Sequence, residues 1–279
     1  MIIGFLGKGG SGKSTLSTAF AFYLMAQRAR VLAVDADHNM DMSYNFGISE
    51  SMPYIGQSLE DMLTYLDIKT YRDAFLKDVD PEFSLFPLDP ITEKYSVEIG
   101  SHMRLMSTGP HTENILYDKS CSHSLVTPLK VYLPFLKLKE NEYAVVDEKA
   151  GVDGVSTGIT TGFTIAVVVA EPTLHGLKTA KQIVSMLDFY GTPYFFALNK
   201  SHGKEDEELF FNAFNKLPDM VFAFDHSFSR FSKDNAPAYD SQFKKLIETL
   251  ATLKDARKER TKEKYIKNNE FVQHTERDQ

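Results

Sequence analysis

The stretch Gly7-Lys8-Gly9-Gly10-Ser11-Gly12-Lys13-Ser14-Thr15 decides the fold. It satisfies G-x-x-x-x-G-K-[ST]. The apolar run Ile2-Ile3-Gly4-Phe5-Leu6 precedes it, and a mostly apolar segment, residues 16–24, follows. Strand, glycine loop and helix in that order make the pattern a phosphate site rather than an ordinary glycine turn. Glycines let successive backbone N–H groups turn toward one anion, and the start of the helix adds partial positive charge. In such a loop Lys13 reaches the β- and γ-phosphates and the Ser14 hydroxyl ligates Mg²⁺. Gly7 to Thr15 are therefore the expected nucleotide-binding residues.

Outward from the loop, short apolar runs alternate with helical patterns. Residues 31–34, 103–106, 143–146, 164–170, 194–198 and 220–224 read as buried strands. Helical spacing marks residues 174–190 and the set Phe243, Leu246, Ile247, Leu250 and Leu253. The expectation is an α/β fold: one P-loop domain over residues 1–253, its mainly parallel sheet flanked by helices on both faces. Residues 52–102, with several prolines, read as an irregular insertion that decorates the sheet. Residues 254–279 read as a charged C-terminal tail, with seven basic and three acidic residues between Lys254 and Lys267.

Composition narrows the classes. The 279 residues are 43% hydrophobic and 25% charged, as in ordinary globular proteins. A net charge of −7 and a pI near 5.6 argue against nucleic acid as a main partner. Cys121 is the single cysteine, so no intrachain disulfide forms, as suits a reducing cytosol. The chain starts on a core strand rather than a signal peptide, and its longest apolar run, residues 163–170, is too short to span a bilayer. A cytoplasmic location and no membrane partner are expected.

Ligands on parallel α/β sheets bind at the carboxyl ends of the strands. Asp35, Asp147, Asn199 and Asp225 all fall at such ends. In Asp35-Ala36-Asp37-His38-Asn39, Asp35 is the better placed to hold the water shell of Mg²⁺. Asp37, further into the loop, is the candidate to position the attacking water. The alternative is that one of the two caps the following helix.

Lys8 inside the loop gives K-G-G-x-G-K-S. This resembles the deviant Walker A motif of the MinD/ParA, ArsA and nitrogenase iron-protein superfamily of ATPases. The resemblance implies an ATP-driven homodimer in which Lys8 reaches the partner's nucleotide, with Lys8, Lys13, Asp37 and Asp147 as the catalytic set. Asp35 to Asp37 resembles its D-x-D switch I, with His38 where relatives usually carry proline. Asp147-Glu148-Lys149-Ala150-Gly151 resembles its D-x-x-A-G switch II. Asp147 would then accept a hydrogen bond from Mg²⁺-bound water, and the Gly151 N–H would approach the γ-phosphate. Asn199 resembles the base-reading asparagine, with Phe224 and Asp225 on the other side of the adenine of ATP or ADP.

Residues 31–37, Asp147 to Gly151, Glu171-Pro172-Thr173 and Lys178-Thr179-Ala180 together resemble CooC-type ATPases, which assist nickel insertion into carbon monoxide dehydrogenase. That family has a C-x-C pair through which two subunits share one metal. Here the matching place reads Cys121-Ser122-His123. Cysteine and histidine both ligate Zn²⁺ or Ni²⁺, and two copies across a dimer axis would give a Cys₂His₂ set. The competing reading is a small buried cysteine beside a helix-capping histidine. The family's E-H after A-G is Asp153-Gly154 here. A nitrogenase-type reductase needs two cysteines per subunit. The implied function is Mg²⁺-dependent ATP hydrolysis coupled to homodimerisation, serving a client metalloenzyme. The alternatives are a MinD/ParA-like positioning switch and a nucleotide-binding regulator without hydrolysis.

Overall fold

The computed structural model describes residues 1–48, 52–77, 82–119, 121–226, 234 and 236–277. Its strands are β1 (Ile2–Gly7), β2 (Arg30–Asp35), β3 (Phe83–Ser84), β4 (Ser96–Glu98), β5 (Met103–Ser107), β6 (Leu136–Lys137), β7 (Glu142–Asp147), β8 (Ile165–Ala170), β9 (Tyr194–Ser201) and β10 (Met220–Ala223). Its α-helices are α1 (Lys13–Ala26), α2 (Asp41–Asn45), α3 (Leu59–Tyr65), α4 (Asp73–Leu76), α5 (Pro90–Tyr95) and α6 (Glu113–Leu116). Then come α7 (Thr127–Phe135), α8 (Val152–Ser156), α9 (Leu174–Tyr190), α10 (Lys204–Phe214), α11 (Asp240–Leu250) and α12 (Arg257–Arg277).

Eight strands form one sheet in the order β10-β9-β8-β1-β7-β2-β5-β4, and only the β4–β5 pair is antiparallel. The central strands are apolar because both faces are covered; all six residues of β8, Ile-Ala-Val-Val-Val-Ala, are buried. Alternation along β1 sorts the core. Ile2 and Leu6 face the side packed by α7 and α9, while Ile3 and Phe5 face α1 and α11. Gly4 shares the first side, where the Phe163 ring lies so close that a Cβ on Gly4 would sit 2.1 Å from it.

Parallel register aligns the strand ends. Asp35 stands opposite both Asp147 and Ser107, and Phe5 opposite Asp147. The loops that leave β1, β2 and β7 therefore converge on one edge of the sheet.

The insertion at residues 52–102 is tied into the fold more closely than a decoration. Its β4 extends the main sheet, and its β3 pairs with β6. Asp89 caps α5 by accepting from Ile91 and Thr92 N–H, and Thr92 Oγ1 meets the buried Tyr132 hydroxyl at 2.5 Å.

The charged tail of the sequence reading is a docked helix. Arg257 donates to the carbonyls of Leu133 (3.0 Å) and Leu136 (2.6 Å), at the end of α7. Arg260 donates to Thr161 O (3.1 Å), Gly191 O (3.3 Å) and Phe163 O, and Lys264 to Gly158 O (3.1 Å). Tyr265 is buried and stacks on Phe75 with ring centres 4.6 Å apart. Cations supply what carbonyls at helix ends lack, so this helix docks without an apolar stripe. No helix among the described residues is long and apolar enough to cross a membrane.

Candidate functional site

The chain turns from β1 into α1 through Gly10 (φ +81°) and Gly12 (φ +90°), conformations that L side chains seldom adopt. Gly12 also abuts the Asn199 amide, which a Cβ would meet at 2.3 Å. No side chain caps α1, and its first turn holds no acid, whereas Thr173 caps α9. The N–H groups at the start of α1 therefore face a cavity of about 460 Å³. Gly9, Gly10, Gly12, Lys13, Ser14 and Thr15 form one wall, with Asp37 beside them. Asn199, Phe224, Asp225 and Tyr239 also line the cavity. Gly7, Lys8, Ser11 and Gly151 lie outside this lining.

Lys13 is the centre of charge. Its Nζ stands 3.2 Å from Asp37 Oδ2 and 3.9 Å from Asp147 Oδ1, and only 5% of Lys13 is exposed. Burial works to lower its pKa, but Asp147 and Asp37 outweigh burial and hold it above the ordinary value. Asp147 is fully buried, which raises its pKa to about 6, with Lys13 pulling the other way. Its oxygens make no well-formed hydrogen bond, and the Ser14 side chain lies nearby. A buried carboxylate with free lone pairs beside a serine hydroxyl is the hard-oxygen donor set that suits Mg²⁺ and its waters.

Three of the expected site residues make contacts within the chain. Asp35 Oδ2 accepts from Ser43 N–H and Oγ, both at 2.7 Å, and its Oδ1 accepts from Asp37 N–H at 3.4 Å. Asp35 thus ties the first turn of α2 to the end of β2 and shapes its own loop, and it does not line the cavity. Gly151 has φ +79°, and its N–H donates to Gly7 O at 2.8 Å, joining the loop after β7 to the phosphate loop. Asn199 Nδ2 donates to Ser11 O at 2.8 Å, so one of its amide hydrogens braces the loop, and the residue also lines the cavity.

Sequence reading assigned no role to Glu148 or His38's partner. Glu148 is fully buried, which holds its carboxyl well above the usual range, and Lys149 N–H donates to its Oε1. His38 Nδ1 lies 3.2 Å from Gly109 O, tying switch I to the loop after β5. The turn after α6 brings Cys121 Sγ within 3.1 Å of His123 Nδ1. Cys121 is exposed, against the reading of a buried structural cysteine. Among the described residues no group of three His, Cys, Asp or Glu is arranged to hold a metal.

The model of the CobQ/CobB/MinD/ParA nucleotide-binding domain matches residues 2–272. The chain belongs to that family. The match runs through most of α12, in keeping with the docked helix. An uncharacterised ATP-binding protein of Methanocaldococcus jannaschii is 26% identical over 229 residues, covering 80% of this chain and 86% of the relative. The carbon monoxide dehydrogenase accessory protein CooC of Rhodospirillum rubrum is 29% identical over 188 residues, 66% of this chain and 67% of the relative. Among solved structures, the septum site-determining protein MinD of Pyrococcus horikoshii, complexed with Mg-ADP, superposes with a TM-score of 0.60 at 17% identity. That match covers 88% of this chain and 95% of MinD, and establishes a shared fold.

Proposed function

We propose that this chain hydrolyses ATP with Mg²⁺ and dimerises around the nucleotide. The observation that carries the reading is Lys13, held between Asp37 and Asp147 at the uncapped start of α1 and facing the cavity. On binding, Lys13 exchanges the Asp37 carboxylate for the β- and γ-phosphate oxygens, whose charge is larger. Asp37 is then released to orient a water and accept its proton as the water oxygen attacks the γ-phosphorus, while the bond from that phosphorus to the β–γ bridging oxygen breaks and ADP leaves with the electron pair. Ser14 and Asp147 would hold Mg²⁺, which neutralises charge developing on the phosphate oxygens. Phe224 offers a face for base stacking.

Dimerisation is supported by the edge on which the site lies. Tyr44 (79% exposed), Leu116 (69%), Tyr117 (71%) and Leu174 (79%) all sit on connections leaving the carboxyl ends of strands. Large apolar groups clustered on one edge favour a partner surface. Lys8 is partly exposed and does not line its own chain's cavity, as a residue reaching across a dimer requires. Sedimentation with Mg-ATP tests the coupling. The parent should shift to a dimer, while Lys8→Ala should bind ATP and stay monomeric. A Lys8→Ala chain that dimerises like the parent would refute the cross-subunit role.

The client reading is metallocentre maturation of the CooC kind. It rests on the similarity to CooC and on the exposed Cys121 beside the partly buried His123, a pair that would be completed by a second copy. The positioning alternative leaned on a basic tail, and Arg257, Arg260 and Lys264 are instead spent on backbone carbonyls. Calorimetric titration with Zn²⁺ or Ni²⁺ should give about one ion per dimer, abolished by Cys121→Ser and by His123→Ala. No binding with ATP, with ADP or without nucleotide would contradict the maturation reading.

A further inference from the structure

In a regular strand consecutive side chains point to opposite faces, so Asn199 and Lys200 should not both reach the phosphate loop. They do. Asn199 Nδ2 donates to Ser11 O at 2.8 Å, and Lys200 Nζ donates to Gly10 O at 2.6 Å. A bulge makes this possible. Val221 pairs with Leu198 and Ala223 with Ser201, so Asn199 and Lys200 together stand opposite Phe222. Lys200 absorbs the extra residue with φ +61°, a left-handed conformation uncommon for lysine. The same ammonium meets Glu171 Oε1 at 2.5 Å, just past the end of β8.

We propose that Lys200, oriented by Glu171 and by the bulge, is a positioning residue for the nucleotide. A trans peptide holds its C=O antiparallel to the next N–H. Anchoring Gly10 O therefore fixes the following peptide, whose Ser11 N–H closes the loop onto Lys8 O at 3.1 Å, and anchoring Ser11 O fixes the Gly12 N–H. The loop's glycines would otherwise sample many conformations, and holding them in advance reduces what binding must order. The lysine keeps a backbone conformation it disfavours because its side chain is needed there, a pattern typical of binding sites. The Lys200–Glu171 pair is partly exposed and adds little to overall stability, so its effect falls on the loop.

This inference rests on the proposed nucleotide site and separates from it in one experiment. Mg-ADP affinity, steady-state ATP kinetics and thermal melting are measured for the parent, Lys200→Gly, Lys200→Arg and Glu171→Ala. Glycine suits the backbone at position 200 and removes the brace. Lys200→Gly should melt no lower than the parent yet bind Mg-ADP about tenfold more weakly, with KM rising more than kcat falls. Lys200→Arg should recover most of the affinity, and Glu171→Ala should share part of the loss. Parent-like affinity in Lys200→Gly, or an affinity loss matched by a lowered melting temperature, would overturn the positioning role and leave the nucleotide site standing. A parent that binds no nucleotide would overturn both readings.

Discussion

Ser43 donates its N–H and its hydroxyl to a single oxygen of Asp35, inside a site with three further buried carboxylates, Asp37, Asp147 and Glu148. Burial and the nearby Asp147 raise Asp35 from the ordinary 3.8 to about 7, while Ser43 pulls the other way. The folded chain therefore binds more protons than the unfolded chain between those values. The associated stability is full below about pH 4 and is lost as pH rises through about 7. Asp35→Asn, which keeps an oxygen for Ser43, should remove this loss. Without nucleotide, its melting temperature relative to the parent should rise on the order of 5 °C from pH 4 to pH 7.5. Parallel pH profiles would contradict the raised pKa. At this scale the sequence was legible where the chemistry is local. The loop glycines, Lys13 and Ser14 stand out by spacing, and Asp37 and Asp147 by their place at or just past strand ends and by the resemblance of their segments to the two switches. Ser43, Glu171 and Lys200 do not, because their partners come from sheet register and from a bulge with no composition of its own.

Helix α9 spans Leu174–Tyr190, the bounds expected from its spacing, because a threonine cap opens it and Gly191 closes it. Helix α10 was unreadable by the same means. Its first turn carries Glu205, Asp206 and Glu207, and only Phe210 is fully buried. Helix α12 resisted for a different reason. Apolar periodicity is the signal for docking, and this helix docks through guanidinium groups on carbonyls at the ends of α7 and α9. Arg260→Ala should leave three backbone carbonyls without their donor and cost about 2 kcal/mol. Thermal unfolding should show a fall of roughly 5 °C. A melting temperature equal to the parent's would mean that α12 is not held by these contacts.

The molecule places Lys13, Asp37, Asp147, its glycine loop and the exposed side chains of Tyr44, Leu116, Tyr117 and Leu174 on the same edge of one sheet. The parallel topology dictates this, because the connections that leave the carboxyl ends of the seven parallel strands emerge there. Such an edge can close on a second copy only with the charges of Lys8, Lys13 and the aspartates compensated, which is what a nucleotide polyphosphate with Mg²⁺ supplies. In the proposed function, folding, nucleotide binding and assembly are thus linked through one set of charges. Phosphate release from ATP by the parent and by Asp37→Asn tests this most directly, with nucleotide affinity measured in parallel. The expected result is Mg²⁺-dependent turnover by the parent, and in Asp37→Asn a rate lower by roughly 100-fold or more with ATP still bound. Equal turnover by the two chains, or turnover by the parent that survives removal of Mg²⁺ by chelation, would contradict it.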